Sequence, residues 1–558
     1  MSATEHSTAA PAAPARKASA VVFWIVATTI AAAAFGVIAA MLGGDGNWDL
    51  RNYHLYAPYA ATAGRMDIDQ SPAGAPGYVN PALDILLTQP LVQHGSLRAL
   101  AAVLGGIQGL NLVLLAGIAL HLLRGNANRR LLTGLAAALG MAGAMVVSEI
   151  GTTFGDLTTA TLVLGALLCC LRGLEDNEQQ ERAGLICLGG FAMGIAAGLK
   201  LTNAAFMVAL LGAVLVAGGA RRFRSAALLG FFGLCGALLS GGWWSWELWT
   251  RFHNPVFPFF NRVFQSPFFP PVSFSDGRFV PRGMNEALLY PFYFSWNHQT
   301  AEIPFRDFRF PIAYLLAAPL LYTVAFPRIA NGATGRRGVA TFSLFVIFSY
   351  ALWQFAFPIQ RYAIAIELLL PAFTILALTR LSARHGRAAS IVVALVLAWT
   401  TVPADWGRIR GEAADRPIVS DRMRGELSAV LGGGAVVLGP PPLAYLAPTL
   451  RDESIGWFGN VFTQRDAQDA RRKLAGRARV FTVSRAGQDD IDRTNRRLAA
   501  LDLPPIDGAG CRAFSTTFDG RLLLCPVTEG ARQRLEDHGR ALMPFPLPPP
   551  GSGSTQAK

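Results

Sequence analysis

The sequence predicts an α-helical polytopic membrane protein of about eleven transmembrane helices, followed by a small α/β domain outside the membrane. Three observations predict it. Only 15% of the 558 residues are charged, where a soluble chain carries about 25%. Apolar runs near spanning length recur from Val21 to Val402, and a spanning helix takes roughly 20 such residues. From about Pro403 the pattern changes to short β-like runs alternating with charged helical stretches. The net charge of +13 is dispersed between the apolar runs, which points to membrane topology and away from nucleic-acid binding.

Residues 1–20, rich in Ala, Ser and Pro, read as a disordered cytoplasmic tail. The membrane domain is expected over 21–403, with long outward loops at 44–96 and 244–310. Val21–Leu42 is the first span and reads as a retained anchor, longer than the apolar core of a cleaved signal. Further runs follow at Leu97–Leu123, Leu131–Ser148, Leu157–Leu171, Ala183–Gly198, Ala204–Gly218 and Ala226–Trp243. After a polar gap come Pro311–Phe326, Val339–Phe357, Tyr362–Leu378 and Ala388–Val402. The basic stretches Arg124–Arg130, Arg221–Arg224, Pro327–Arg337 and Arg380–Arg387 all fall on one side if the N-terminus is cytoplasmic, as does the mixed loop Arg172–Arg182. The positive-inside rule then directs Asp49, Asp156, Lys200, Arg361 and the C-terminal region outward. The expected location is the cytoplasmic (inner) membrane.

Residues 404–543 read as an extracytoplasmic α/β domain, with strands at Gly434–Gly439 and Ala478–Ser484 and a helix at Asp489–Leu501. Asp519–Gly520 between apolar stretches signals a hairpin. Its register does not set Cys511 directly opposite Cys525, although a disulfide between them suits an oxidising compartment. Residues 544–558 read as a disordered tail.

Candidate chemistry begins where the first span ends, at Gly44–Ala60, with Asp45, Asp49, Arg51 and His54. Ionisable groups are costly at the edge of hydrocarbon, so a cluster there is a functional candidate as well as a possible solvated loop. Asp45, Asn47 and Asp49 alternate like the start of a calcium loop. Leu50 and Tyr56 then stand where its glycine and closing glutamate belong, so a divalent metal is only weakly signalled and no cofactor is called for. Asp156 reads either as a site acid or as a helix cap. Lys200 reads either as a site cation or as a residue snorkelling to headgroups. Arg361 sits between two spans with almost no loop, which favours function. The aromatic stretch Asn254–Pro271 and Trp243, Trp244, Trp246 and Trp249 read as an interfacial belt.

The order Asp49, Tyr53, Ala57, Gly64, Asn80–Pro81 resembles that of the GT-C superfamily of polytopic glycosyltransferases, especially the branch of protein O-mannosyltransferases and lipid-A sugar transferases. Leu50 departs from it, standing where a second acid is common. The segments opening at Asp156, ending at Lys200–Asn203 and running from Arg361 to Pro371 resemble later motifs, so the likeness spans roughly residues 21–378. It implies transfer of a sugar from a polyprenyl-phosphate donor to a glycan, lipid or protein acceptor at the outer face of the membrane. The bilayer is then a partner and nucleic acid is not. Asp49 would be the general base, and Arg361 and Lys200 would meet the leaving phosphate. Arg51 and His54 would orient acceptor or phosphate, while Glu149 and Asp156 would bind sugar hydroxyls. Asp45 is a further substrate-binding candidate. A transporter or flippase of lipid-linked saccharides and a non-catalytic receptor are the alternatives. The charges gather at one face and no repeat is visible, which favours the enzyme.

Overall fold

The computed structural model describes residues 13–174, 182–273, 276–297, 299–326, 336–506, 508–539 and 542–544. Most of the loops Arg172–Arg182 and Pro327–Arg337, residues 1–12 of the first tail and nearly all of the second lie outside the described residues. The first helix runs from Ala13 to Leu42, so it begins inside the stretch read as a tail.

Among the described residues, six helices are long and apolar enough to cross a membrane: Val21–Leu42, Leu97–Leu122, Asp156–Gly173, Gly219–Phe252, Arg336–Ala356 and Gln360–Leu381. Four shorter apolar helices accompany them, at Ala183–Leu199, Leu201–Ala217, Arg309–Ala325 and Gly386–Thr400. Leu131–Ser148, expected as one span, is broken into Arg129–Met141 and Ala144–Glu149. The cause is a pair of buried carboxylates. Asp307 accepts the Ala144 amide at 3.0 Å, and Glu367 accepts the Met145 amide at 3.1 Å. They cap the unpaired N–H groups that open the second piece, where a helix end attracts negative charge.

Burial separates centre from rim. In the most apolar 18-residue stretch of the Gln360–Leu381 helix 89% of the residues are buried, and in that of Val21–Leu42 only 11%. The central helix therefore packs on neighbours all round, while the first presents apolar side chains such as Phe23, Ile30 and Val37 outward. That is the pattern of a lipid-facing helix.

Small residues set the approach of the Ala183–Leu199 helix to the Gly219–Phe252 helix. Gly190, Gly194 and Gly198 recur every fourth residue. A Cβ at Gly194 would lie 1.9 Å from the Gly233 carbonyl oxygen, and one at Gly190 2.4 Å from that of Leu229. Such small-residue ridges let helix backbones touch where no hydrophobic force draws them together. Leu238–Gly242 widens into a π-turn opposite Gly198. There Asn80 donates to the carbonyls of Gly198, at 2.7 Å, and Ser240, at 2.9 Å. The helix end carrying Lys200 is thereby fixed.

The strands are β1 (Gly44–Asp45), β2 (Arg408–Ile409), β3 (Ala435–Leu438), β4 (Gly456–Phe458), β5 (Val480–Arg485), β6 (Arg512–Phe514), β7 (Leu522–Pro526) and β8 (Met543–Pro544). β1 and β2 form an antiparallel ribbon that joins the exit of the first helix to the chain beyond the last. The other six form one sheet in the order β4-β3-β5-β7-β6-β8, parallel from β4 to β5 and antiparallel after it. Residues Phe514 and Leu522 pair across the β6–β7 hairpin, leaving a loop of 515–521. A two-residue Asp519–Gly520 turn would have shifted the register. In the observed one, the step before Arg512↔Leu524 brings Cys511 opposite Cys525, and a disulfide joins them.

This sheet is built onto the loop that follows Asp49. Gln70 bridges to Phe458, and the Trp457 amide donates to Asp69 at 3.0 Å. The fully buried Arg65 donates to the Glu453 and Ile455 carbonyls and pairs with Asp69 at 2.7 Å.

Candidate active site

Asp49 precedes Leu50–His54, a short stretch wound as a π-helix, a wide turn found often at functional sites. Its Oδ2 accepts the Tyr53 hydroxyl at 2.8 Å and Arg361 Nη1 at 3.3 Å. Oδ1 accepts no hydrogen bond from the described residues, and 13% of the side chain stays exposed. Burial, then the Asp49 charge, hold the Tyr53 phenol well above its usual range, so it remains a donor.

Arg361 opens the central helix and is stacked at 4.2 Å over Phe154 and 5.4 Å over Trp406. Its Nη1 also lies 3.8 Å from Asp156. Asp156 in turn pairs with Lys200 at 2.7 Å, and Lys200 donates to the Phe154 carbonyl at 2.8 Å. Tyr53, Asp49, Arg361, Asp156 and Lys200 thus form one chain of contacts drawn from four separate segments. Two anions and two cations balance within it, which is what keeps such groups tolerable at low dielectric. Lys200 is 20% exposed.

Lys200 and Tyr53 line a cavity of about 760 Å³. Its wall is mostly apolar, with Leu83, Leu238, Trp244, Trp246, Trp249 and Phe257 among its residues. Asp49 stands one hydrogen bond behind this wall, through Tyr53. His54 and Asp84 also line it, with His54 Nδ1 2.7 Å from Asp84 Oδ2. Of the four tryptophans read as a belt, Trp243, Trp246 and Trp249 are exposed, while Trp244 is buried and donates to the Tyr78 carbonyl at 2.9 Å.

Three expected site residues lie elsewhere. Asp45 is fully buried, and its oxygens accept the Asn47 amide and side chain at 3.0 and 2.9 Å and the Thr153 amide and hydroxyl at 2.8 and 2.7 Å. It ties two loops together and has no capacity left for substrate. Arg51 turns to the C-terminal sheet and pairs with Asp519 at 2.7 Å. Glu149 is fully buried and accepts the Leu157 amide at 3.2 Å, so no sugar reaches it. Asn47 turns its amide nitrogen to Asp45 and its oxygen to the Leu50 amide. Among the described residues no group of three or more His, Cys, Asp and Glu side chains is placed to hold a metal ion.

Asp84, Phe154 and Trp406 escaped the sequence reading. Asp84 carries a retrospective signal, being an acid inside the apolar stretch before the second span. The aromatic stack on Arg361 carries none, since Phe154 and Trp406 are distant in sequence.

A helical membrane body with an acid–cation chain beside an apolar cavity, capped by an α/β sheet, defines the class. This is a polytopic membrane glycosyltransferase of the GT-C type. Residues 78–353 match the model of glycosyltransferase family 87. The structure is similar to that of ArnT from Cupriavidus metallidurans, solved bound to undecaprenyl phosphate and in the apo state. Each comparison has a TM-score of 0.52 at 15% identity, over 92% of this chain and 99% of that one. At such identity the likeness establishes the fold. No curated protein matches the sequence.

Proposed function

We propose that this glycosyltransferase moves a sugar from a polyprenyl-phosphate carrier to an acceptor hydroxyl at the outer face of the cytoplasmic membrane, with Asp49 as general base. The observation that carries the reading is the 760 Å³ cavity, apolar along the tryptophan wall and cationic at Lys200. An isoprenoid tail and its phosphate have that polarity. The bound undecaprenyl phosphate of the similar ArnT structure supports the same carrier class.

The acceptor oxygen attacks the anomeric carbon while the bond from that carbon to the phosphate oxygen breaks. The bonding pair leaves with the phosphate, and the hydroxyl proton passes to Asp49 Oδ1. Lys200 and Arg361 stabilise the charge growing on the phosphate, and stabilisation of developing charge is commonly the largest catalytic effect. Tyr53 and Arg361 hold the Asp49 carboxylate in place. A single displacement inverts the anomeric configuration.

The outer-face assignment rests on charge. Helices that reach the site at Lys200 and Arg361 have their far ends at Arg182 and Arg380, and Arg221–Arg224 and Arg124–Arg130 lie at the far ends of neighbouring helices. We assign the membrane body to 21–403 and the extracytoplasmic domain to 404–543 on the same grounds.

The test is transfer from polyprenyl-phosphate sugars by the full chain in nanodiscs. Wild type transfers with inversion and Asp49→Asn does not. Near-normal turnover by Asp49→Asn rejects Asp49 as the base.

A further inference from the structure

A second cavity, of about 520 Å³, lies where three parts of the chain meet: the loop from Tyr56 to Tyr78, the aromatic segment near Phe252 and Phe268, and the C-terminal helix Gln464–Leu474. It shares Tyr78 and Trp244 with the apolar cavity, so these two residues partition the pair. Both cavities also flank the same helical turns. Tyr53 faces the first and Tyr56, three residues on, faces the second, and Asp49 stands at the head of those turns.

The chemistry differs across the partition. The first cavity is walled chiefly by hydrocarbon. The second sets half-buried Tyr78, Phe252 and Phe268 beside Asp67, Asp469, Arg251 and Arg472. Asp67 and Arg472 keep 70% and 67% of their side chains exposed. Both therefore retain hydrogen-bonding capacity toward water or a ligand. The groups beneath are already engaged. Lys473 donates to the Asp69 carbonyl and Gln70 Oε1, both at 2.9 Å, Tyr56 donates to Asp69 at 3.1 Å, and Ser71 and Tyr78 share a hydrogen bond at 2.8 Å. The floor is thus held rigid, while the rim carries the ion pairs Arg251–Asp67 and Arg472–Asp469, whose exposed edges exchange water for a ligand's hydroxyls, which is how a pre-formed polar site is made.

We propose that this second cavity is the site for the saccharide part of the acceptor. The inference rests on the glycosyl-transfer reading above. A sugar presents an apolar C–H face, which suits an aromatic platform, and a ring of hydroxyls that both donate and accept. Carboxylates and guanidinium groups interleaved around one rim answer both halves of that hydroxyl chemistry. A lipid chain would be set against Asp67, Asp469, Arg251 and Arg472 here, and a phosphate would meet Asp67 and Asp469. The proposal also gives the C-terminal sheet domain a part in substrate recognition, because Asp469, Arg472 and Lys473 belong to it.

The experiment uses the full chain in nanodiscs and saturation-transfer difference NMR. The probes are a panel of methyl hexopyranosides, methyl pentofuranosides and their disaccharides, with undecaprenyl phosphate titrated separately. At least one saccharide is expected to bind wild type saturably and to stay bound when undecaprenyl phosphate is saturating. Asp469→Asn and Arg472→Ala, both on the solvent-facing rim, should each weaken saccharide binding about tenfold and leave undecaprenyl phosphate affinity unchanged. About tenfold is the effect of one net charged hydrogen bond. Absence of saccharide binding, binding indifferent to both substitutions, or displacement by undecaprenyl phosphate each overturns the proposal. Absence of undecaprenyl phosphate binding instead strikes at the carrier assignment, so the two failures are read apart.

Discussion

At the scale of single residues, what matters is which atoms are already engaged. Asp49 has one free oxygen and Asp45 has none, although both are acids within a few residues of the same helix end. Asp49→Asn should therefore leave a folded, inserted protein whose transfer rate falls by roughly 10²–10⁴-fold, the usual worth of a general base. Asp45→Asn should fail differently. The amide cannot accept all four hydrogen bonds, so the yield of folded protein drops, and fluorescence-detected size exclusion reads that loss without any assay of transfer. Arg361→Ala removes the partner of Asp49 and part of that of Asp156. A fall in transfer of about 10²–10³-fold is expected, the cost of one lost electrostatic contact at a reacting centre, together with weaker retention of undecaprenyl phosphate. Unchanged carrier affinity in that variant would remove Arg361 from the phosphate. That Asp49, Asp156, Lys200 and Arg361 belong together was legible in the sequence because charge beside apolar spans is costly and calls for a reason. Asp45, Arg51 and Glu149 carried the same signal for another cause: Thr153 lies 108 residues from Asp45, and Asp519 lies 468 from Arg51. No local pattern encodes such partners.

At the scale of elements, helix ends place the chemistry. The glycine ridge of Ala183–Leu199 lets that helix lie against its neighbour and so positions Lys200. Gly194→Leu should force the two backbones apart, because even the first carbon would collide with the Gly233 carbonyl. The cost exceeds the ~1–3 kcal/mol of ordinary overpacking, and loss of monodisperse protein in detergent is the readout. The apolar runs were legible as helices because their composition alone demands burial in lipid or protein. The break after Met141 was not, since Asp307 and Glu367, which cause it, lie far along the chain. In the C-terminal sheet domain, Thr463 caps the Gln464–Leu474 helix and Asp466 accepts the Phe462 amide at 2.9 Å. Burial pushes the Asp466 carboxyl up to about 6. Its folded value thus lies above the ordinary one of about 3.9, so the folded state binds more protons in between. The stability it contributes is full below the lower value and declines as pH rises through about 4 to 6. Asp466→Asn should flatten that segment of the melting-temperature profile, and an unchanged slope would reject the assignment.

At the scale of the whole molecule, the C-terminal sheet and the loop after the first helix are one structure. Asp519 is bound by Arg51 at 2.7 Å, by the Tyr445 hydroxyl at 2.7 Å and by Arg485 at 3.1 Å. Asp519→Ala leaves those groups unmatched, and breaking a largely buried ion pair costs about 3–5 kcal/mol. Loosening of residues 44–78 is expected, read as faster amide exchange there with the membrane helices unaffected. The β1–β2 ribbon carries a different consequence. Gly44 pairs with Ile409, and Asp49 meets an arginine 312 residues later in the chain. During synthesis the acid emerges early and waits. Its cation arrives only with the central helix, and the ribbon closes only once the final helix has left the ribosome. A chain made only as far as the first helices therefore holds an unpaired carboxylate, and on the proposed reading sugar transfer waits until the residues past Ile409 are made.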